Sequence, residues 1–250
     1  MDKAQLIQEE EYEFPYHYVP VFEKNRFSQT VHWSWGYRYL GGLQVVFEEL
    51  QKVPFSSLID VGCGDGRFLR DVRANYPSAD IVGVDYSRRC IQMARAMNPN
   101  ITYLCQDVIE KNLPRQFDVA TAIEVLEHIH PDRVQDLTKA IWDLLHDDGT
   151  LILTVPHKNK PMNPKHYQHF TVSQIRDILG DRFDMIGVIP FDPEVSILRQ
   201  LQKLVGGLGN HFVVTNTAVM SFFFRLYVKR YLFARDEGKC RRVAVRCSKK

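Results

Sequence analysis

Three short stretches of this 250-residue chain carry residue types at spacings that could do chemistry. Gly62-Cys63-Gly64-Asp65-Gly66 follows an apolar run that contains Asp60. Its glycines permit positive φ and let a ligand lie against bare backbone. Glu124-Val125-Leu126-Glu127-His128 puts two carboxylates and an imidazole close together. Lys165-His166-Tyr167-Gln168-His169-Phe170-Thr171 adds two imidazoles. A neutral imidazole is well poised to take a proton near neutral pH, so His128 and His169 are candidate general bases. In a second arrangement Glu124, Glu127, His128 and a histidine of the third stretch hold a divalent cation, because carboxylate oxygens with imidazole suit Mg²⁺ or Mn²⁺. Such an ion would bind two adjacent hydroxyls and lower the pKa of one.

The elements that must position these residues read as alternating strands and helices. Residues 58–61 form a buried apolar run, and from Arg67 the spacing of Phe68, Leu69 and Val72 becomes helical. Strand, tight loop and helix are the first unit of a nucleotide-binding α/β fold. Three further strands end in acids: Asp85, Asp107 and Glu124. Open α/β sheets bind ligands at such carboxyl ends, and an acid after the second strand can accept from both ribose hydroxyls. Ser87 caps the next helix, and Thr171 with Gln174 forms a capping box. Residues 147–149 read as a turn, 150–155 as strand five and 183–189 as strand six. Alternation over 241–247 marks a half-exposed last strand. A dinucleotide dehydrogenase would want Gly-x-Gly-x-x-Gly. Here the glycines stand at 62, 64 and 66, Phe68 stands where tight helix packing would be expected, and Asp60 and Asp65 would stand beside the diphosphate.

Asp60-Val61-Gly62-Cys63-Gly64-Asp65-Gly66, Val84-Asp85-Tyr86-Ser87, Gln106-Asp107-Val108 and Glu124-Val125-Leu126-Glu127-His128 resemble the ordered motifs of class I S-adenosylmethionine-dependent methyltransferases. The resemblance is close over residues 58–156. It implies an α/β fold: a doubly wound, Rossmann-like seven-stranded sheet, mostly parallel with an antiparallel last strand, an N-terminal helical cap and an insertion before the last strand. It implies S-adenosyl-L-methionine as cofactor. Gly62, Cys63 and Gly64 would lie against its methionine and ribose, Asp85 would take the ribose hydroxyls and Tyr86 the adenine ring. Asp107 would accept from the adenine amino group with Val108 nearby, Asp60 would act through the methionine ammonium or the loop amides, and Glu124 would stand beside the cofactor. The Glu-x-x-Glu-His string is similar to that of ubiquinone-pathway catechol O-methyltransferases and of small-RNA 3′-terminal 2′-O-methyltransferases. The metal ligands of the small-RNA enzymes include such a string and a downstream histidine. Transferred here, the ligands are Glu124, Glu127, His128 and either His166 or His169, with His169 the one expected.

The chain divides into an aromatic cap at 1–50, a cofactor-binding core at 51–189, a helical insertion at 190–238 and the last strand at 239–250. Within the cap, 1–13 reads as a polar helix or loose tail and 41–50 as the helix leading into the first strand. In the resembled family such an extension often covers the cofactor. The insertion reads as a helix at 195–205, a glycine break and an apolar stretch at 212–233. That stretch mixes aromatics with Arg225, Lys229 and Arg230, the pattern of a lid, a dimer contact, a helix packed on its own domain, or a peripheral membrane contact through 212–234. Composition is ordinary, with 45% apolar and 25% charged residues. A net charge of +2 does not favour nucleic acid as partner. Five cysteines without a Cys-x-x-Cys pair argue against zinc or a disulfide framework, so the chain reads as cytoplasmic. The expected acceptor is a hydroxyl of a small molecule: a sugar, a quinol or phenol, or a lipid-linked intermediate. The alternatives are an RNA 3′-terminal 2′-O-methyltransferase and a non-catalytic subunit of the same fold.

Overall fold

The structure, a computed structural model, describes residues 3–11, 20–23, 26–29, 33–111, 113–194 and 217–250. The cap contributes helix α1 (Lys3–Glu11), a hairpin of β1 (Pro20–Glu23) and β2 (Arg26–Gln29), and helix α2 (Trp33–Leu50). The core follows as β3 (Ser57–Val61), α3 (Arg67–Asn75), β4 (Asp80–Asp85), α4 (Arg88–Met97), β5 (Thr102–Cys105) and β6 (Phe117–Ile123). Two 3₁₀ turns then lead into α5 (Val134–Asp143), β7 (Leu145–Pro156), α6 (Val172–Leu179) and β8 (Phe183–Phe191). Helix α7 (Thr217–Tyr231) and strand β9 (Arg242–Lys249) complete the chain.

The seven-stranded sheet has the order β5-β4-β3-β6-β7-β9-β8. The pairs from β5 to β7 are parallel, and β9 runs antiparallel between β7 and β8. Every residue of β3 is buried, as a parallel strand covered on both faces requires. One apolar cluster joins α5 and α6 to one face, and another joins α2, α3 and α4 to the other. The helix signals are realised as expected. The Ser87 hydroxyl accepts from Cys90 N at 3.3 Å, and Thr171 with Gln174 closes the capping box of α6.

Some boundaries differ from the sequence reading. Helix α2 begins at Trp33 rather than at 41, so its aromatic start is helical. The expected turn at 147–149 lies within β7. There the register jumps from Phe117↔Leu145 to Val119↔Thr150, and the residues between are extruded. The expected helix at 195–205, the glycine break after it and residues 14–19 lie outside the described residues.

Cap and sheet are tied by buried polar and apolar contacts. Glu49 of α2 accepts from Arg246 Nε of β9 at 2.9 Å and pairs with Lys52. Tyr227 of α7 packs so closely on α2 that a Cβ at Gly41 would lie 2.7 Å from its ring. Gly41→Ala should therefore cost about 1–3 kcal/mol of overpacking. Urea unfolding of the variant measures this, and an unchanged midpoint would mean that α7 moves aside freely.

Candidate active site

Strand β3 stops where the order of the sheet reverses, the switch point at which open α/β folds bind ligands. The loop after it is built on two glycines for different reasons. A Cβ at Gly62 (φ 73) would lie 2.6 Å from Val125. A Cβ at Gly64 (φ 54) would meet no atom within 4 Å, because it faces open cavity. Asp85 anchors this loop, accepting from Gly64 N at 3.1 Å and from Ser87 N at 2.8 Å. A carboxylate has about four acceptor positions, so Asp85 keeps capacity for a ligand hydroxyl. Asp107 accepts from Ile109 N at 2.9 Å, Val108 is buried beside it, and Tyr86 is exposed at the rim. Gly62, Gly64, Asp85, Tyr86, Asp107 and Val108 line one cavity of about 620 Å³.

Asp60 forms the floor of this end and is 3% exposed. Burial pushes its carboxyl up to about 7, against a 2.6 Å hydrogen bond donated by Thr121 Oγ1 and with a further rise from the Asp85 charge. Such a group is neutral or ionised according to whether a cation faces it. Burial also pushes the Cys63 thiol up, so Cys63 serves as a small residue in the loop wall.

The other end of the cavity holds the carboxylate and imidazole cluster. Glu124 follows β6 in a left-handed conformation (φ 54). One of its oxygens is 3.7 Å from Lys160 Nζ, and the other is buried with no hydrogen-bond partner among the described residues. Glu127 sits in the 3₁₀ turn Leu126–His128 and is 0% exposed. Neither of its oxygens has a hydrogen-bond partner among the described residues. Burial, reinforced by Glu124, drives its carboxyl well above the usual range.

The imidazole tautomers follow from their carbonyl partners, since a carbonyl only accepts. His128 Nδ1 is 3.1 Å from Lys165 O and carries the proton, so its Nε2 holds the lone pair. His169 Nδ1 is 3.1 Å from Lys160 O, and its Nε2 is 2.8 Å from His166 Nδ1. His166 therefore donates to His169 and keeps its own lone pair on Nε2. Burial is the main cause that depresses His166 to about 2, so it is a neutral imidazole. One ligand atom from each of Glu127, His128 and His166 lies within 4.8 Å of the others.

This placement changes the role expected of His169. It is 5% exposed and stands behind His166, outside the cluster of ligand atoms. The structure brings His166 to Glu127 and His128 instead. The two clusters meet because the loop after β7 docks on the 3₁₀ turn, with Tyr167 N donating to Glu127 O at 2.8 Å. His157, directly after β7, is buried with Nε2 2.9 Å from Glu237 Oε1. Arg38 and Lys160 also line the cavity, beside Lys165 of the third stretch, and no motif singles out Arg38 or Lys160. Arg38 and Gly42 share a face of α2, a spacing visible in the sequence only once that helix is known to start at Trp33.

A sheet of this order with a cavity over the β3 loop is the class I S-adenosylmethionine-dependent methyltransferase fold. The family model described as "Methyltransferase domain" matches residues 34–204, and the chain belongs to that family. A ubiquinone biosynthesis O-methyltransferase of Neisseria meningitidis serogroup C is 33% identical over 124 residues, 46% of this chain and 49% of that protein. The chain thus spans about half the length of the curated relatives it matches. Magnesium protoporphyrin IX methyltransferase from Synechocystis PCC 6803 with bound SAM superposes with a TM-score of 0.60 at 16% identity, covering 100% of this chain and 98% of that one. N-methyltransferase NodS from Bradyrhizobium japonicum WM9, in complex with S-adenosyl-L-homocysteine, gives 0.56 at 12% identity over 85% of this chain and 87% of its own. These two structures share the fold.

Two predictions follow from the geometry of the loop. Asp60 has its folded pKa near 7 against 3.8 ordinarily, so between those values the folded chain holds a proton that the unfolded chain has released. Its contribution to stability is full below the lower value and is lost as pH rises to the upper one. Thermal unfolding of the ligand-free chain should show this decline, and Asp60→Asn should flatten it. In Asp85→Ala, affinity for S-adenosylhomocysteine should fall by ~1.5–3 kcal/mol in isothermal titration. Unchanged affinity would remove Asp85 from the ligand site.

Proposed function

We propose that this protein transfers a methyl group from S-adenosylmethionine to a hydroxyl of a small molecule, with a divalent cation held by Glu127, His128 and His166 and with Glu124 at its edge. The observation that carries this reading is the Glu127 carboxylate, buried with both oxygens lacking a hydrogen-bond partner among the described residues, next to two imidazoles. A buried acid without donors is costly unless a cation or proton satisfies it. Two imidazole lone pairs beside it cannot donate, so a cation fits the donor set and Mg²⁺ or Mn²⁺ suits its oxygens and nitrogens. When bound, the sulfonium supplies an electrophilic methyl and the metal lowers the pKa of a coordinated hydroxyl.

The chain's own residues then divide the work. Gly64 offers bare backbone to the cofactor, and Asp85 accepts from its ribose. Asp60 faces the methionine ammonium as a carboxylate, and Arg38 brings a cation from the cap for the methionine carboxylate. Asp107 and Tyr86 stand at the adenine end. His169 is a positioning residue, because it holds His166 in one tautomer. Lys160 balances part of the charge on Glu124. The relatives named ubiquinone biosynthesis O-methyltransferase support transfer to oxygen.

The test is titration of Mn²⁺ into the chain saturated with S-adenosylhomocysteine. Binding is expected in the wild type and lost in Glu127→Gln, whose ligand-free form should melt higher because a buried acid is gone. His169→Ala should weaken Mn²⁺ binding by ~10–100-fold, the usual cost of removing a residue that orients a ligand. No Mn²⁺ or Mg²⁺ binding by the wild type would end the metal reading.

A further inference from the structure

Helix α7 presents a second surface whose chemistry the cavity does not use. Its inner face is packed: Tyr227, with Leu232 just past the helix end, is buried with Val45, Phe191 and Ala244. Its outer face carries Phe222, Arg225 and Lys229 at spacings of three and four, one stripe of a helix, and all three are exposed. Phe222 is 57% exposed, and Phe233, just beyond the helix, is 43% exposed. Arg230 and Arg235 are exposed as well. Residues 217–235 contain four basic side chains and no acid.

A face turned only to water would not need two outward phenyl rings, and its cations would ordinarily alternate with acids. The acids that flank the stretch in sequence are Glu194 before it and Asp236 and Glu237 after it, and Glu237 accepts from Val172 N at 2.8 Å with His157 Nε2 at 2.9 Å. Aromatic rings beside four cations in a stretch that holds no acid match the boundary between lipid headgroups and acyl chains, where rings enter the apolar layer and cations meet phosphates. No helix among the described residues is long and apolar enough to cross a membrane, so the contact would lie in the plane of the surface.

We propose that α7 docks the protein on an anionic lipid surface. The same helix reaches the cavity wall. Tyr227 Oη donates to Asp192 at 3.4 Å, and Asp192, Arg242 and Arg38 all line the cavity. A lipid surface under α7 would therefore place the cavity close to acceptors carried in the membrane.

Sedimentation of the full chain with vesicles tests this. The chain should pellet with vesicles of phosphatidylcholine plus phosphatidylglycerol, should stay in solution with phosphatidylcholine alone, and should be released by added salt. Reversing two charges, in Arg225→Glu with Lys229→Glu, should weaken partitioning by about tenfold or more. Phe222→Ser should weaken it severalfold at unchanged charge. All three side chains are exposed, and thermal unfolding shows whether each variant is folded. Two results would overturn the proposal. One is a wild-type chain that stays in solution with the anionic vesicles. The other is a charge-reversed chain that pellets as well as the wild type, which would assign binding to another basic segment.

Discussion

Strands β3 and β6 are fastened to each other at both ends by side chains as well as by their ladder. At one end Asp118 accepts from Ser56 N, Ser56 Oγ and Ser57 N at 2.7–2.9 Å. Burial opposes its charge, but those hydrogen bonds hold the carboxyl at about 2. At the other end Thr121 donates to Asp60 at 2.6 Å. Between them the register runs Leu58↔Val119, Ile59↔Ala120 and Asp60↔Thr121. The rest of the site depends on this pairing. It joins strands that are not consecutive, so the loop after β3 and the loop after β6 open on one cavity. A slip of a single residue would turn Asp60 or Glu124 to the opposite face.

The cavity wall is expensive to build. Asp60 and Glu127 are buried acids, and Glu124 takes a left-handed backbone that costs a non-glycine residue about 1–3 kcal/mol. These costs concentrate in the two loops at the switch point. The parallel strands below are mostly apolar and their side chains join clusters on both faces of the sheet, which is where the compensating stability lies. Local rules broken at one place inside an otherwise consistent fold are the mark of a functional site.

The antiparallel β9 has a further effect. By entering between β7 and β8, it carries Arg242 from the C-terminal strand to the N-terminal cap. Arg242 donates to Arg38 O at 2.7 Å and to Asp192 at 3.2 Å, and its guanidinium lies over the Phe191 ring. Glu49 and Arg246 repeat the link one turn of the sheet away. Cap, insertion and sheet thus meet at one buried ionic junction on the cavity wall. Each charge there is tolerated because it is paired.

The sequence by itself determined the strands, the glycine loop, the acids at the strand ends and the caps of α4 and α6. Each depends on near neighbours: a run of apolar residues, a turn that only glycine enters easily, or a side chain bonding an amide three residues away. It also placed Glu124, Glu127 and His128 together, because they are contiguous. Only the tertiary structure decided between His166 and His169. Both lie in one irregular loop, where no period tells which ring faces inward, and the choice depends on how that loop docks on the 3₁₀ turn. Tertiary packing likewise buried His157 against Glu237, began α2 at Trp33 and brought Arg38 to the cavity. Those outcomes rest on contacts between distant segments, and local spacing carries no record of them.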